Sequence, residues 1–318
     1  MPHSPRAGAR RSLGVALISA LLVVALAATA AATLMSSMQL SLRRSGNLYM
    51  RDQAWQYLLG VEAFARILLQ QAIQHNKLDL LLGQERTLPV EGGVVSGRIT
   101  DLQAGINLND LVGAKGKVNA TVRGWLENLF RTQKVDVKHI DALIDWLDTD
   151  SLQHGPNGAE DDYYIGLDPP YRTANTQMES LSELSLIREM KPEEIESLTR
   201  YEEDGKPVRL LNVIHKDPAL RNMVTPVNIN TASAPVLTAL GVRNVQKVID
   251  GRPYKKLPTP AELGVKSGKP IQGLGTESDY FLLEATAKIG RAVMRSYSII
   301  HREKGGKMTI VARSYGTE

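Results

Sequence analysis

The chain begins with an uncharged apolar segment that is long enough to cross a membrane. Arg10, Arg11 and Gly14 stand at its start, and no charged residue occurs between Leu13 and Met35. A transmembrane helix requires about 20 consecutive apolar residues, whereas the apolar region of a signal peptide spans only ~7–15. The length therefore favours a segment that stays on the protein and anchors it.

Three interpretations of this segment remain open from its residues. A pilin-type leader would be removed after Gly14, so that the mature protein would begin with the apolar stretch at Val15. A plain anchor would keep Met1, and a secretory signal would be cut among the small residues of 27–32. The preceding arginines favour a cytoplasmic N-terminus and export of the rest of the chain. We favour the pilin-type leader because the basic residues, the glycine and the apolar stretch lie directly one after another.

A helical pattern continues beyond the apolar segment. Apolar and small residues recur at alternating spacings of four and three, which places them on one face of a helix. These residues are Ala54, Leu58, Val61, Ala65, Leu68 and Ala72. No proline interrupts the chain between Val15 and Gln84. The sequence therefore predicts one helix over about 15–82, apolar all round in its first half and packed on a globular head in its second.

The remaining segments predict an α+β head with a helical insertion. A turn is expected over 89–93. β-Branched residues over 94–100 and the alternating segments 280–289, 293–301 and 308–314 are typical of strands of a small antiparallel sheet. Helical signals dominate the region between them, including a helix over 180–190 that begins with a capping-box spacing at Ser180, and a proline at a first helical turn at Pro192. The predicted divisions are a leader over 1–14, a transmembrane part over 15–36, the rest of the helix and the first strands over 37–106, an inserted helical domain over 107–275, and the last strands over 276–318.

Composition limits the possible functions. The chain has no cysteine, which excludes disulfides and thiolate chemistry. Its net charge is +4, but three of its arginines precede Val15, so the mature chain would be close to neutral and would not attract nucleic acid in general. Neither a Gly-x-Ser-x-Gly motif nor a phosphate-binding Gly-x-x-x-x-Gly-Lys motif occurs, and the histidines have no metal-ligand spacing. The sequence therefore gives no support for an enzyme.

Carboxylates concentrate around a glycine-rich loop between Asp145 and Asp162. Because crowded carboxylates repel one another, a hard cation such as calcium, which takes ~6–8 oxygen ligands, would stabilise them. The candidate ligands are Asp148, Asp150, Glu160 and Asp161. The spacing is not that of an EF-hand, and a solvated acidic loop without an ion is the alternative.

The segment 227–233 offers a second candidate site. Val-Asn-Ile-Asn-Thr-Ala-Ser, with Gly241 further along, is similar to the start of a helix-hairpin-helix module, whose glycine hairpin binds DNA phosphates. The same residues could instead cap a helix within a small helical fold, and the near-neutral charge and the predicted export favour this interpretation. A DNA-binding protein of a competence or pilus system is therefore kept as the alternative function.

Taken together, these motifs resemble protein K of the type II secretion system, a family of large minor pseudopilins. Separate motifs occur in the same order along nearly the whole chain. They lie at 15–18, 106–111, 143–150, 158–161, 170–175 and 227–232.

The resemblance implies a non-enzymatic subunit at the tip of the periplasmic pseudopilus, in complex with the I and J minor pseudopilins and with H as a further candidate partner. It implies help in starting pseudopilus assembly for export of folded proteins, single-pass anchoring in the bacterial inner membrane with the bulk in the periplasm, and a structural calcium ion in the acidic loop. It further implies cleavage by prepilin peptidase between Gly14 and Val15, with N-methylation of Val15.

One position departs from ordinary pilins. They carry a glutamate at the fifth mature residue, which pairs with the terminal amine of a neighbouring subunit, whereas this chain has Ser19 there. An unpaired carboxylate in lipid costs several kcal/mol. A subunit with no neighbour above it can do without that glutamate, which agrees with a position at the tip.

Overall fold

A long N-terminal helix dominates the fold. The computed structural model describes residues 8–203, 206–265 and 269–316, with side chains from residue 15 onward; the first part of the predicted leader, 1–7, lies outside the described residues. Helix α1 spans Gly8–Gln74, 67 residues, which corresponds to about 100 Å at ~1.5 Å per residue. The single long helix predicted from the sequence is confirmed.

Eleven strands and six further helices come after α1 within the described residues. Along the chain they are β1 Arg86–Val90, β2 Gly93–Asp101, β3 Ile106–Asn107, α2 Ala120–Gln133, α3 His139–Leu147, α4 Asp161–Ile165, α5 Pro192–Thr199, β4 Tyr201–Glu203, β5 Lys206–Val208, β6 Leu211–Asn212, β7 Val227–Asn228, α6 Ala234–Ala239, α7 Val245–Asp250, β8 Leu274–Gly275, β9 Tyr280–Ile289, β10 Ala292–Arg302 and β11 Met308–Tyr315. Short 3₁₀ turns lie at Leu78–Leu80, Leu102–Ala104, Leu108–Asp110, Ala114–Gly116, Leu181–Leu186 and Pro218–Leu220.

The head is a five-stranded antiparallel sheet in the order β1-β2-β9-β10-β11. One face of α1 packs on it through Ala54, Leu58, Ala65 and Leu69, which are all buried. Glu62 on the same helix is buried and accepts hydrogen bonds from the exposed Arg313 of β11 and from Ser298 of β10, so that an ion pair also fixes the helix to the far strands. The predicted α+β arrangement is confirmed.

The chain leaves the sheet after β2 and returns at β9, and α2 to α7 lie between these two strands. This inserted region has its own large apolar core, which includes Trp125, Phe130, Ile144 and Tyr164. The insertion is mostly helical, but it also contains three two-stranded ladders, β3-β6, β4-β5 and β7-β8. The exact division at 107 and 275 stays a prediction.

Details of the elements differ from the sequence prediction where local chemistry intervenes. Helix α1 ends at Gln74 rather than near Leu82, because Asn76 takes a left-handed conformation and the Lys77 amide donates to the Ala72 carbonyl, as at many helix C-termini. The turn expected around Pro89 is strand β1, where proline is tolerated because the strand lies at an edge.

In the insertion, one helical prediction is wrong and one helix was not predicted. The capping box at Ser180 is present, but it begins a short 3₁₀ turn instead of a helix over 180–190. Helix α2, which the periodicity did not indicate, begins after Asn119, whose side chain accepts hydrogen bonds from the amides of Thr121 and Val122.

Candidate metal centre

The acidic loop connects the end of α3 to the start of α4. Asp148 is the C-cap of α3, where its amide donates to the Ile144 carbonyl, and Glu160 is the N-cap of α4. Asp150 lies in the exposed part of the loop and accepts a hydrogen bond from the Leu152 amide. Two short helices therefore hold the carboxylates of one acidic loop at its two ends.

Three of the four predicted ligands come together. One carboxylate oxygen from each of Asp148, Asp150 and Glu160 lies within 4.8 Å of the other two. Asp148 and Glu160 are buried, at 5% and 8% exposure. Within the described part of the chain, Asp148 Oδ1 and both carboxylate oxygens of Glu160 have no hydrogen-bond partner. Buried polar atoms are normally paired, so these oxygens are available to bind a cation.

Asp145 adds a further carboxylate that the sequence prediction did not include among the ligands. It is fully buried one helical turn before Asp148 on α3, and its Oδ1 accepts a hydrogen bond from the His154 amide. Its Oδ2 has no partner among the described residues. The signal available from the sequence was the i, i+3 spacing of Asp145 and Asp148, which places both side chains on one helix face.

Crowding and burial make these carboxyls hard to ionise without a cation. Burial, and then the charges of Asp145 and Asp148, raises the pKa of Glu160 to about 7. Burial, and then the charges of Asp150 and Asp145, raises the pKa of Asp148 to about 6. Burial also raises the pKa of Asp145. A divalent cation would reverse both causes, since it replaces lost hydration and neutralises the repulsion.

Asp161, the fourth predicted ligand, has other partners. Its Oδ2 accepts a hydrogen bond from Arg172 Nη1 at 2.7 Å, and its Oδ1 accepts one from the Thr173 amide at 3.0 Å. The ion pair holds the segment 172–173 against the start of α4. In this structure Asp161 therefore positions the loop and lies outside the three-carboxylate cluster.

The donor set suits calcium. Every candidate ligand is a carboxylate oxygen, and calcium prefers several carboxylate and carbonyl oxygens in flexible geometry. Cysteine is absent from the chain, and no histidine belongs to the cluster within the described residues, so the soft and imidazole ligands preferred by transition metals are not part of it. The loop can therefore hold a hard divalent cation through Asp148, Asp150 and Glu160.

The raised pKa of Glu160 predicts a specific dependence of stability on pH in chelator. The folded form keeps the Glu160 proton up to about pH 7, whereas the unfolded form loses it near 4.5. Folding therefore binds the proton, and its contribution to stability is present at low pH and is lost as the pH rises through about 7. We expect wild type to lose on the order of 1 kcal/mol relative to Glu160→Gln over this window, after solvent screening.

Denaturant titrations of both proteins in chelator from pH 4.5 to 7.5 measure this difference. Subtracting the free energy of unfolding of the variant from that of wild type removes the contributions of other carboxylates. One of these is Glu62, whose pKa burial raises but Arg313 and Ser298 lower overall. If wild type instead gained stability relative to Glu160→Gln as the pH rises, the pKa of Glu160 would not be raised in the metal-free protein.

Gly158 is required by the close packing of the loop. A Cβ atom there would lie 2.2 Å from Asp145 Oδ2 and 2.7 Å from the His154 carbonyl oxygen. We expect Gly158→Ala to destabilise the protein by ~1–3 kcal/mol, as overpacking does, and to weaken calcium binding. The matched control is Gly124→Ala in helix α2, where a Cβ meets nothing within 4 Å and alanine favours the helix by ~1 kcal/mol. Thermal melts distinguish the two variants. Equal melting temperatures for Gly158→Ala and Gly124→Ala would contradict close packing of the loop around Gly158.

The second candidate site has its polar side chains directed inward. Asn228 donates to Asp101 and Ser278, and Thr231 also donates to Asp101. Asn230 holds Tyr254 and Thr276 through their backbone. These side chains are bonded within the protein, which favours a structural role of the motif over phosphate binding. The predicted helix cap is not formed by them, because the N-cap of α6 is Ser233, whose side chain makes no capping hydrogen bond.

The processing site predicted at Gly14 and Val15 lies within the continuous helix α1. Side chains from Val15 to Tyr49 are exposed, and α1 is long and apolar enough to cross a membrane. Ser19 donates its hydroxyl to the carbonyl oxygens of Val15 and Ala16, at 2.9 and 3.0 Å. The polar group at this position is therefore satisfied within its own helix.

Comparisons with known proteins agree with this architecture. Residues 104–201 match the family described as type II secretion system (T2SS), protein K. The chain is 31% identical to type II secretion system protein K of Aeromonas hydrophila, over 96% of this chain and 98% of the relative. It is 31% identical to the protein of that name from Pseudomonas aeruginosa, over 95% and 92%.

A solved structure has the same fold. It is a chain of the GspK-GspI-GspJ complex from the type 2 secretion system of enterotoxigenic Escherichia coli, which superposes with a TM-score of 0.64 at 19% identity. The match covers 84% of this chain and 99% of that chain. The similarity therefore extends over most of the chain.

Proposed function

Because the chain belongs to the type II secretion system protein K family of minor pseudopilins, we propose that it caps the tip of the periplasmic pseudopilus and helps to start its assembly. The family is one of structural subunits, so the chain is not an enzyme. The size of the insertion is the observation that carries the proposal. A domain containing α2 to α7 and its own core is too large to repeat along a fibre of small, closely stacked subunits.

Ser19 supports the same position. Its hydroxyl is bonded to carbonyl oxygens of its own helix, so it does not need the amine of a neighbouring subunit. A buried carboxylate at this position would need such a partner, since an unpaired charge in lipid is costly. The internal hydrogen bonds therefore suit a subunit that has neighbours on one side only.

We propose the I and J minor pseudopilins as its partners, with H as a further candidate. The solved structure with this fold is a complex of K with I and J. The exposed side of the extramembrane part of α1, which includes Phe64 and Ile67 at 50% and 54% exposure, is the surface proposed to face them.

An in-frame deletion should abolish export of the folded substrates of the system, and the wild-type gene should restore it. Export that continues without the gene would reject the proposed role.

We further propose anchoring and maturation of the pilin type. Prepilin peptidase would cut between Gly14 and Val15, Val15 would be N-methylated, and α1 would cross the inner membrane once, with the bulk of the protein in the periplasm. The basic residues before an exposed apolar helix support this orientation.

We propose a structural calcium ion in the acidic loop. The unpaired oxygens of Asp148 and Glu160, with Asp150 beside them, support a site that holds the α3–α4 connection closed. Asp145 is the further carboxylate available to the ion, because its Oδ2 is buried and unpaired within the described residues.

A further inference from the structure

The two halves of the molecule have separate apolar cores. One core lies between α1 and the sheet, and the other fills the insertion. Among the described residues, a small apolar cluster lies between them, in which Leu102 and Ile214 pack on Leu282 of β9. Such a limited contact gives little resistance to rotation of one half against the other, since inter-domain motion is expected unless an interface is large and apolar.

A buried carboxylate lies where the chain leaves the sheet. Asp101, the last residue of β2, is 3% exposed. It accepts hydrogen bonds from Ser278 Oγ at 2.6 Å, Thr231 Oγ1 at 2.5 Å and Asn228 Nδ2 at 3.2 Å. The amide of Gln103 donates to its other oxygen at 2.8 Å. Four donors thus converge on one carboxyl group, from the strand that leaves the sheet, the segment that returns to it, and the 227–233 motif.

Gln103 ties the same three segments together. Its Oε1 accepts a hydrogen bond from the amide of Asp279 at 2.6 Å, and its Nε2 donates to the carbonyl of Pro226 at 2.8 Å. It is 3% exposed. Asp101 and Gln103 therefore connect both crossing strands to the helical insertion through buried hydrogen bonds, which are strong in a low-dielectric interior.

We propose that Asp101, Gln103, Asn228, Thr231 and Ser278 form a polar junction that fixes the orientation of the insertion relative to the sheet. The 227–233 motif then acts as the part of the insertion that the sheet holds. The rigidity of the junction does not depend on the position of the protein in a pseudopilus. The idea that this junction holds the insertion in place as a cap of the pseudopilus rests on the proposed function.

The chemistry of the junction predicts which substitutions loosen it. A carboxylate accepts from all four donors at once, whereas an asparagine amide would turn an NH₂ group towards other donors. Leaving one buried partner unsatisfied costs more than the average hydrogen bond contributes. Asp101→Asn and Thr231→Val should therefore release the insertion, while Thr231→Ser keeps the hydroxyl and should not.

The test is a distance measurement between the two halves in the detergent-solubilised full chain. Because the chain has no cysteine, spin labels can be attached at Thr132→Cys on α2 and Val293→Cys on β10, both exposed. Double electron–electron resonance should give one narrow distance distribution for wild type and Thr231→Ser. Thr231→Val and Asp101→Asn should lose the single narrow peak.

Thr225→Val is the matched control, since Thr225 is a buried threonine near Asp110, within the insertion alone. It should lower stability but leave the distance distribution narrow. Circular dichroism verifies folding, and Ser278→Ala replaces Thr231→Val if the latter unfolds. Narrow distributions in all junction variants would overturn the proposal, as would equal broadening in Thr225→Val.

Discussion

Calcium is expected to raise the melting temperature of the protein by about 5–10 °C at concentrations a hundredfold above its dissociation constant. An ion that binds only the folded state at this excess stabilises it by ~2.7 kcal/mol, and each kcal/mol corresponds to ~2–4 °C in a domain of this size. The physical source is the cluster of Asp148, Asp150 and Glu160, whose carboxylates repel one another without a cation, two of them buried. Thermal melts of the detergent-solubilised full chain in calcium and in chelator measure the shift.

Variants of the loop assign the shift to individual carboxyls. Asp148→Asn and Glu160→Gln should lose most of the calcium-dependent shift and should melt higher than wild type in chelator, because each removes a like charge from the cluster. Asp162→Asn is the matched control, since Asp162 is an exposed neighbour outside the cluster. A wild type without any shift, or equal shifts in all variants, would contradict calcium binding here.

Asp161→Asn separates the two roles available to that residue. Its carboxylate pairs with Arg172 and the Thr173 amide, so the variant should lose stability in calcium and in chelator alike and should keep the calcium-dependent shift. Loss of the shift without loss of stability in chelator would make Asp161 a ligand, in agreement with the prediction from the sequence.

Gly14→Val is expected to abolish maturation and, with it, protein export. The resemblance to pilins places the peptidase cut directly after this glycine, and valine introduces a branched side chain at the position before the bond. The unprocessed chain would keep Arg6, Arg10 and Arg11 ahead of its membrane helix, which prevents the start of α1 from entering a bundle of apolar helices within lipid.

Electrophoresis of membrane fractions with and without prepilin peptidase measures this processing. Ser12→Ala, two residues earlier in the leader, is the matched control and should be processed as wild type. Export assays in the deletion strain should give background secretion for Gly14→Val and normal secretion for Ser12→Ala. Normal maturation of Gly14→Val would show that the chain is anchored or cleaved in another way.

Periodicity predicted the parts of the fold that burial dictates. The stripe that begins at Ala54 identified the face of α1 that packs on the sheet, and alternation located strands β9, β10 and β11 to within a few residues. The prediction for β1 was wrong because Pro89 has the chemistry of a turn, and only its place at the sheet edge makes it acceptable in a strand.

The sequence predicted the loop and the three carboxylates of the candidate metal centre, but it did not predict the roles of Asp161 and Asp145. Composition marked the carboxylates from Asp145 to Asp162, yet their roles depend on contacts between residues distant in the chain. Asp161 is paired by Arg172 and Asp145 has an unpaired oxygen, and neither could be deduced from spacing. The same holds for Asp101, whose side-chain partners lie more than a hundred residues away in the sequence.

The composition of the purified complex tests the central claim most directly. The full chain would be co-expressed with the I and J pseudopilins of the same secretion system and with prepilin peptidase, extracted in mild detergent, and weighed by light scattering during gel filtration. We expect an equimolar complex of the three proteins in which this chain begins at N-methylated Val15. Elution of this chain apart from I and J, while those two remain associated, would contradict its role as the cap of the pseudopilus.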